Sequence, residues 1–236
     1  MMKNWILDAI FPAYCVVCHR KLIDAEQVVC LECEFELPII NQLIAQNPLH
    51  NYLLRNKLSP ALPIEYINCL CNFSKEGVLQ QLIHLLKYHQ KASIGIFLGK
   101  FLGNYFEKNN FFEEIDYLVP VPLHPKRFKK RTYNQSLLLA RGVQQVVPIP
   151  IAENLLIRNK NTTSQTALTS SQRQSNINQA FGLNPTLKHT YEGKHLLIMD
   201  DIITTGATLN ELLKSMICIP NVRLSVLAVA SNFDSH

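Results

Sequence analysis

No apolar run in this chain of 236 residues approaches the roughly 18 positions that a membrane-spanning helix requires. Glycine and proline, at 8 and 12 residues, are not in excess, so collagenous and low-complexity classes are excluded. The only internal repetition is a doubled Cys-x-x-Cys. The opening stretch, Met1 to Cys15, is mildly apolar, but Asp8 interrupts it and no small-residue cleavage site follows. A secretory signal is therefore not expected, and the cytoplasm is the expected compartment. Acid is nearly missing from the middle of the chain. Between Tyr117 and Tyr191 stand ten Lys or Arg against a single acid, Glu153, a net of +9; the rest carries 13 bases and 17 acids, or −4. A surface built only for solubility mixes its signs. A segregated basic block points instead to a polyanionic ligand such as phosphate, pyrophosphate or nucleic acid.

The first sixty residues hold four of the seven cysteines and little periodicity, and residues Asn47 to Pro63, with three prolines, read as a linker. Residues 1–60 are thus expected to be a small module with its linker, and 61–236 the main domain. From Tyr66 the pattern becomes α/β. Strands are expected over Tyr66–Phe73, Ile115–Val121, His195–Met199 and Val222–Ala230, with a possible start at Ile149–Ile151. Helices are expected over Val78–His89, Ile94–Phe106, Asn134–Val147 and Ala207–Ile217. Such alternation predicts a mostly parallel sheet flanked by helices. In such sheets ligands bind beyond the carboxyl ends of the strands.

The densest cluster of functional residue types is His195-Leu-Leu-Ile-Met-Asp200-Asp201-Ile-Ile-Thr204-Thr205-Gly206-Ala207-Thr208-Leu209. An apolar strand runs into two adjacent carboxylates, then into a hydroxyl-rich turn that opens a helix. Neighbouring carboxylates can accept hydrogen bonds from vicinal ribose hydroxyls and help hold a hydrated Mg²⁺. A turn with glycine at a helix start offers backbone N–H groups and a positive dipole end to a phosphate. A strand with an ordinary N-cap needs one such residue, not two acids and three threonines. Asp200 to Thr208 resembles the phosphoribosyl pyrophosphate motif of type I phosphoribosyltransferases. That resemblance implies that Asp200 and Asp201 hold the ribose hydroxyls, and that Thr204, Thr205, Gly206, Ala207 and Thr208 hold the 5-phosphate.

Two basic stretches belong on the same rim. Lys126, Arg127, Lys129, Lys130 and Arg131 place five cations in six positions, between a strand ending in Pro120-Val121-Pro122 and a helix. They would repel one another unless solvated or facing an anion; pyrophosphate suits them, and so does single-stranded DNA. Arg127, Lys130 and Arg131 are the candidate pyrophosphate ligands, and the whole set is the candidate DNA surface. The polar run from Arg158 through Lys160 and Gln165 to Arg173 and Asn176 reads as a lid that would exclude water from the reacting sugar. Asp200, Asp201, Arg158 and Lys160 are the catalytic candidates. Lys87 is either a further anion ligand or part of a solvated helix face. Trp5 and the Phe111-Phe112 pair read as packing or an interface.

Cys15-Val-Val-Cys18 and Cys30-Leu-Glu-Cys33 lie eleven residues apart. Four thiolates in two chelating pairs suit tetrahedral structural Zn²⁺; a cluster that holds no metal and a redox dithiol pair are the other readings, and His19 could replace one ligand. Cys69, Cys71 and Cys218 fall in or near apolar elements and are expected in the core.

Leu86-Lys87-Tyr88, Pro120-Val-Pro122, Arg131-x-Tyr133-Asn134-Gln135, Gln165, Arg173-x-x-Asn176, Ala180-Phe181 and the acidic motif occur in that order. In this the chain resembles the ComF family of competence-associated proteins over essentially its whole length, cysteines included. It departs where the family often has glycine, at Gln90 and Thr132. The resemblance implies a type I phosphoribosyltransferase fold with an N-terminal zinc ribbon. It also implies a role in natural transformation, with single-stranded DNA and competence-machinery proteins as partners. Three functional classes follow: a competence protein handling incoming single-stranded DNA, a phosphoribosyltransferase acting on a metabolic or nucleotide acceptor without DNA contact, and a non-catalytic sensor of phosphoribosyl pyrophosphate.

Overall fold

The computed structural model describes residues 12–23, 28–40, 48–123, 131–158 and 181–232. Six strands and six α-helices matter here. The strands are β1 (Ile64–Asn72), β2 (Tyr117–Pro120), β3 (Leu156–Arg158), β4 (Phe181–Leu183), β5 (His195–Ile203) and β6 (Arg223–Ser231). The helices are α1 (Leu31–Phe35), α2 (Pro48–Asn56), α3 (Val78–Tyr88), α4 (Ala92–Glu107), α5 (Gln135–Gln144) and α6 (Ala207–Met216). A four-stranded sheet runs in the order β1-β6-β5-β2, every neighbouring pair parallel. β3 and β4 form a separate antiparallel ribbon.

The strands are almost continuously apolar because both faces are covered. Side chains alternate faces along a strand, which sorts the core in two. Leu197 and Met199 of β5 and Leu227 and Val229 of β6 join Leu82, Leu86, Leu98, Leu102 and Leu139 from α3, α4 and α5. Leu196, Ile198, Leu224 and Val226 point the other way, into a cluster with Leu53 of α2 and Leu212 and Met216 of α6. On the first face α4 and α5 cross at near backbone contact. A Cβ on Gly99 would lie 2.2 Å from the Leu139 carbonyl oxygen, and one on Gly142 2.4 Å from that of Ile96.

The structure departs from the expectations in five places. Residues 48–56 are not a linker but helix α2, opened by Pro48, with Leu49 and Leu53 buried in the second cluster. Proline fits a first helical turn, where its missing N–H is not needed. β5 does not stop at Met199; it carries on through both acids to Ile203 and stays paired with β6 as far as Ile203↔Ser231. The cysteine-rich segment packs into the first cluster through Cys15, Leu22, Val29, Cys30 and Leu37. Its continuation bridges antiparallel to β1 at Ile39↔Cys71, covering that edge of the sheet. Cys69 and Cys71 are buried as expected, but Cys218 is exposed. Ile149–Ile151 makes only a single bridge, Leu118↔Ile151, and Phe111 and Phe112 are packed inside. No described helix is long and apolar enough to cross a membrane.

Candidate functional site

β5 delivers Asp200 and Asp201 to the carboxyl edge of the sheet, between β2 and β6. There a cleft of about 310 Å³ opens. Successive residues of a strand face opposite ways, so the two acids are held by different partners. Asp200 Oδ1 accepts from Ser136 Oγ at 3.0 Å and from the Asp201 backbone N–H at 2.9 Å. Asp201 Oδ2 lies 2.7 Å from Lys87 Nζ, and its Oδ1 accepts from the Ile202 N–H at 2.8 Å. Burial, and secondly the neighbouring Asp201 charge, push the Asp200 carboxyl up to about 7, against the hydrogen bonds and Lys87 that pull it down.

The glycine-containing turn follows at once. Gly206 is left-handed (φ 74°) and stands at the N-cap of α6, a conformation that favours glycine. A Cβ there would also meet Leu53 Cδ2 at 3.0 Å and Lys57 Cβ at 3.3 Å, so α2 backs the turn directly. Ser59 N–H donates to Asn210 Oδ1 at 3.1 Å and ties the same segment to α6. Thr204, Gly206 and Thr208 line the cleft. Thr205 and Ala207 do not; the Thr205 hydroxyl oxygen accepts from the Ala207 N–H at 3.5 Å, which serves the turn itself.

Three of the expected cations reach this cleft: Lys87, Arg131 and Arg158. Arg131 Nη1 donates to Gln135 Oε1 at 3.1 Å, and its guanidinium lies 5.5 Å from the Tyr88 ring centroid. Arg158, at the end of β3, is 4.8 Å from the Phe181 ring, opposite it on β4, and donates to the Pro122 carbonyl at 3.4 Å. Lys126, Arg127, Lys129, Lys130, Lys160, Gln165, Arg173 and Asn176 lie outside the described residues, as does Trp5. Sequence reasoning missed Ser136, whose only signal is its place two residues after Asn134. Asn134 caps α5 by accepting from the Ser136 N–H, and its Nδ2 donates to the Val121 carbonyl. This fixes Ser136 on the cleft side of the helix start.

The four cysteines expected to bind metal converge. Their sulfurs lie within 4.8 Å of one another, with Cys18 and Cys30 at 3.5 Å. Thiolates about 2.3 Å from one tetrahedral ion would be spaced alike. Cys15 and Cys18 sit in a turn closed by the Tyr14↔Lys21 bridge; Cys30 caps α1 and Cys33 lies within it. Burial raises the Cys15 thiol, but backbone N–H groups of Cys18, Cys30 and Val17 outweigh it and bring it down to about 6. Burial pushes Cys33 up. His19, directly after Cys18, is in a left-handed conformation (φ 62°).

A family model described as "Phosphoribosyl transferase domain" matches residues 134–223, from the cap of α5 to the start of β6. Competence protein F of Haemophilus influenzae is 37% identical over 97 residues, covering 41% of this chain and 42% of that protein. The alignment therefore spans less than half of that relative. DNA utilization protein YhgH of Escherichia coli is 26% identical over 208 residues, covering 85% of this chain and 89% of its own. Among solved structures, the glutamine phosphoribosylpyrophosphate amidotransferase from B. subtilis matches 56% of this chain and 26% of its own at 19% identity, TM-score 0.37.

Proposed function

From the premise that this chain is a ComF-family protein with a phosphoribosyltransferase domain of type I fold, we propose that its cleft binds Mg²⁺-phosphoribosyl pyrophosphate. We further propose that the protein serves the handling of incoming single-stranded DNA during natural transformation. One observation carries the first part: a single cleft holds the Asp200–Asp201 pair, a glycine turn at a helix start and three cations. In this reading the two carboxylates accept the ribose hydroxyls. The first-turn N–H groups of α6 and the Thr204 and Thr208 hydroxyls take the 5-phosphate. Lys87, Arg131 and Arg158 face the pyrophosphate, where fixed positive charge stabilises a leaving anion. Lys87 would leave Asp201 as the ribose hydroxyls arrive.

The donor set suits Mg²⁺, a hard cation bound through one or two carboxylates, water and ligand phosphates; Asp200 and Asp201 would hold it. Bound there, it would neutralise pyrophosphate charge. The four-cysteine cluster suits structural zinc, held by Cys15, Cys18, Cys30 and Cys33. Support for the second part is the +9 middle segment and the printed names of the relatives, which concern competence and DNA utilization.

Calorimetry with phosphoribosyl pyrophosphate and Mg²⁺ tests the cleft. Binding by the wild type and its loss in Asp200→Ala/Asp201→Ala is expected. Equal or absent binding in both proteins would overturn the assignment. A transformation assay of the folded double variant tests the cellular part, and undiminished DNA uptake would separate the cleft from that role.

A further inference from the structure

Beside the cleft, three exposed rings, His84, Tyr88 and His89, line no part of it. α3 turns its apolar residues Leu79, Leu82, Ile83 and Leu86 inward, while His84, Tyr88 and His89 are exposed. Lys87 reaches into the cleft to Asp201, yet its neighbour Tyr88 is 66% exposed. The Tyr88 ring packs against His84 one turn back, centroids 5.0 Å apart, and His84 against His89 at 5.2 Å. From a different part of the chain the Arg131 guanidinium comes within 5.5 Å of the Tyr88 ring. Arg131 also lines the cleft, and Gln135 orients it.

Exposed rings with a half-buried guanidinium over one of them, at the edge of the proposed phosphate-binding cleft, fit one kind of ligand: unpaired bases on a polyanionic backbone. Bases stack on aromatic and imidazole rings and on guanidinium planes whatever their sequence, and the cation meets the phosphates. Bases in a duplex are already stacked and cannot reach such a platform. Resting on the single-strand reading proposed above, we infer that His84, Tyr88 and Arg131 form a base-stacking platform for single-stranded nucleic acid beside the phosphoribose cleft.

The test uses the full chain, a fluorescent oligo-dT and a duplex of equal length, followed by anisotropy at several salt concentrations. Tyr88→Ala should weaken oligo-dT binding about tenfold or more, since one stacked base accounts for that much. It should leave the slope of log Kd against log salt unchanged, because no phosphate contact is lost. Tyr88→Phe should bind as the wild type does, and both variants should keep their calorimetric response to Mg²⁺-phosphoribosyl pyrophosphate. As a direct readout, Tyr88→Trp adds a second indole to a chain with one tryptophan, and its fluorescence should be quenched by oligo-dT. If Tyr88→Ala binds oligo-dT as tightly as the wild type, or Tyr88→Phe loses as much as Tyr88→Ala, the platform is refuted while the single-strand reading stands. Equal loss on the duplex also refutes stacking. If the wild type binds no oligonucleotide at low salt, the single-strand reading fails and the platform with it.

Discussion

Lys87 Nζ lies 2.7 Å from Asp201 Oδ2, so the C-terminal end of α3 is tied by charge to the acidic end of β5. Both side chains are largely buried, at 19% and 12% exposure. Removing one partner of such a pair leaves a desolvated charge behind, which costs far more than the pair itself contributes. Lys87→Met would leave Asp201 beside the Asp200 carboxyl without its cation. The expected loss is about 3 kcal/mol at pH 7.5 by urea unfolding. Phosphoribosyl pyrophosphate binding should fall with it. An unchanged urea midpoint would mean that the pair contributes nothing.

The Asp200 carboxyl is raised by burial to about 7 from an unfolded value of 3.8. Between these values the folded chain binds a proton that the unfolded chain has already lost. Stability of the ligand-free protein must therefore fall as pH rises through that window and level off above about 7. Asp200→Asn removes this contribution. It should flatten the pH profile and make the variant more stable than wild type at pH 8, on the order of a few kcal/mol, while abolishing phosphoribosyl pyrophosphate binding. Denaturant midpoints measured from pH 4 to pH 8 decide it; parallel profiles for the two proteins would refute the assignment.

The cysteine cluster makes a separate prediction. Cys15, Cys30 and Cys33 are part of the first apolar cluster and pack with residues of the main domain. Protein purified without chelators should carry one zinc per chain by elemental analysis. Stripping it, or substituting Cys30→Ser, should leave thiolates crowded in apolar surroundings and lower the Tm of the whole chain, not of a detached module. Loss of zinc with an unaltered Tm would show that the metal does not brace the domain.

The acid pair, the glycine turn and the four cysteines were legible because each is local in the sequence. A strand, its loop and the next helix supply one half of the cleft in nine consecutive residues, Asp200 to Thr208. The other half arrives from far away. Ser136 meets Asp200 across 64 positions, and a serine after a helix cap carries no mark of such a contact. Helix α2 was hidden by the prolines around it, although Leu49 and Leu53 hold the four-residue spacing of a buried helical face. The end of β5 was misplaced because Asp200 and Asp201 break its apolar run. Their backbone nonetheless pairs with β6 to Ile203↔Ser231, since the hydrogen-bonded ladder does not depend on apolar side chains.

Left-handed positions give predictions of opposite sign. Gly206 (φ 74°) is suited to its conformation, and a methyl group there would press on Leu53 at 3.0 Å. Gly206→Ala should cost about 1–2 kcal/mol, from backbone strain plus the displaced α2 contact, and should weaken phosphate binding. Gln90 (φ 54°) and Thr132 (φ 64°) adopt the same region without being glycine. Thr132 is β-branched, the side-chain type for which this conformation is most strained. Gln90→Gly and Thr132→Gly should therefore stabilise the fold despite the greater freedom of glycine in the unfolded chain, by about 0.5–1 kcal/mol each, Thr132→Gly the more. Urea midpoints of the three variants check this. If the two glycine variants are less stable than wild type, the entropy of the unfolded chain outweighs the strain at these turns.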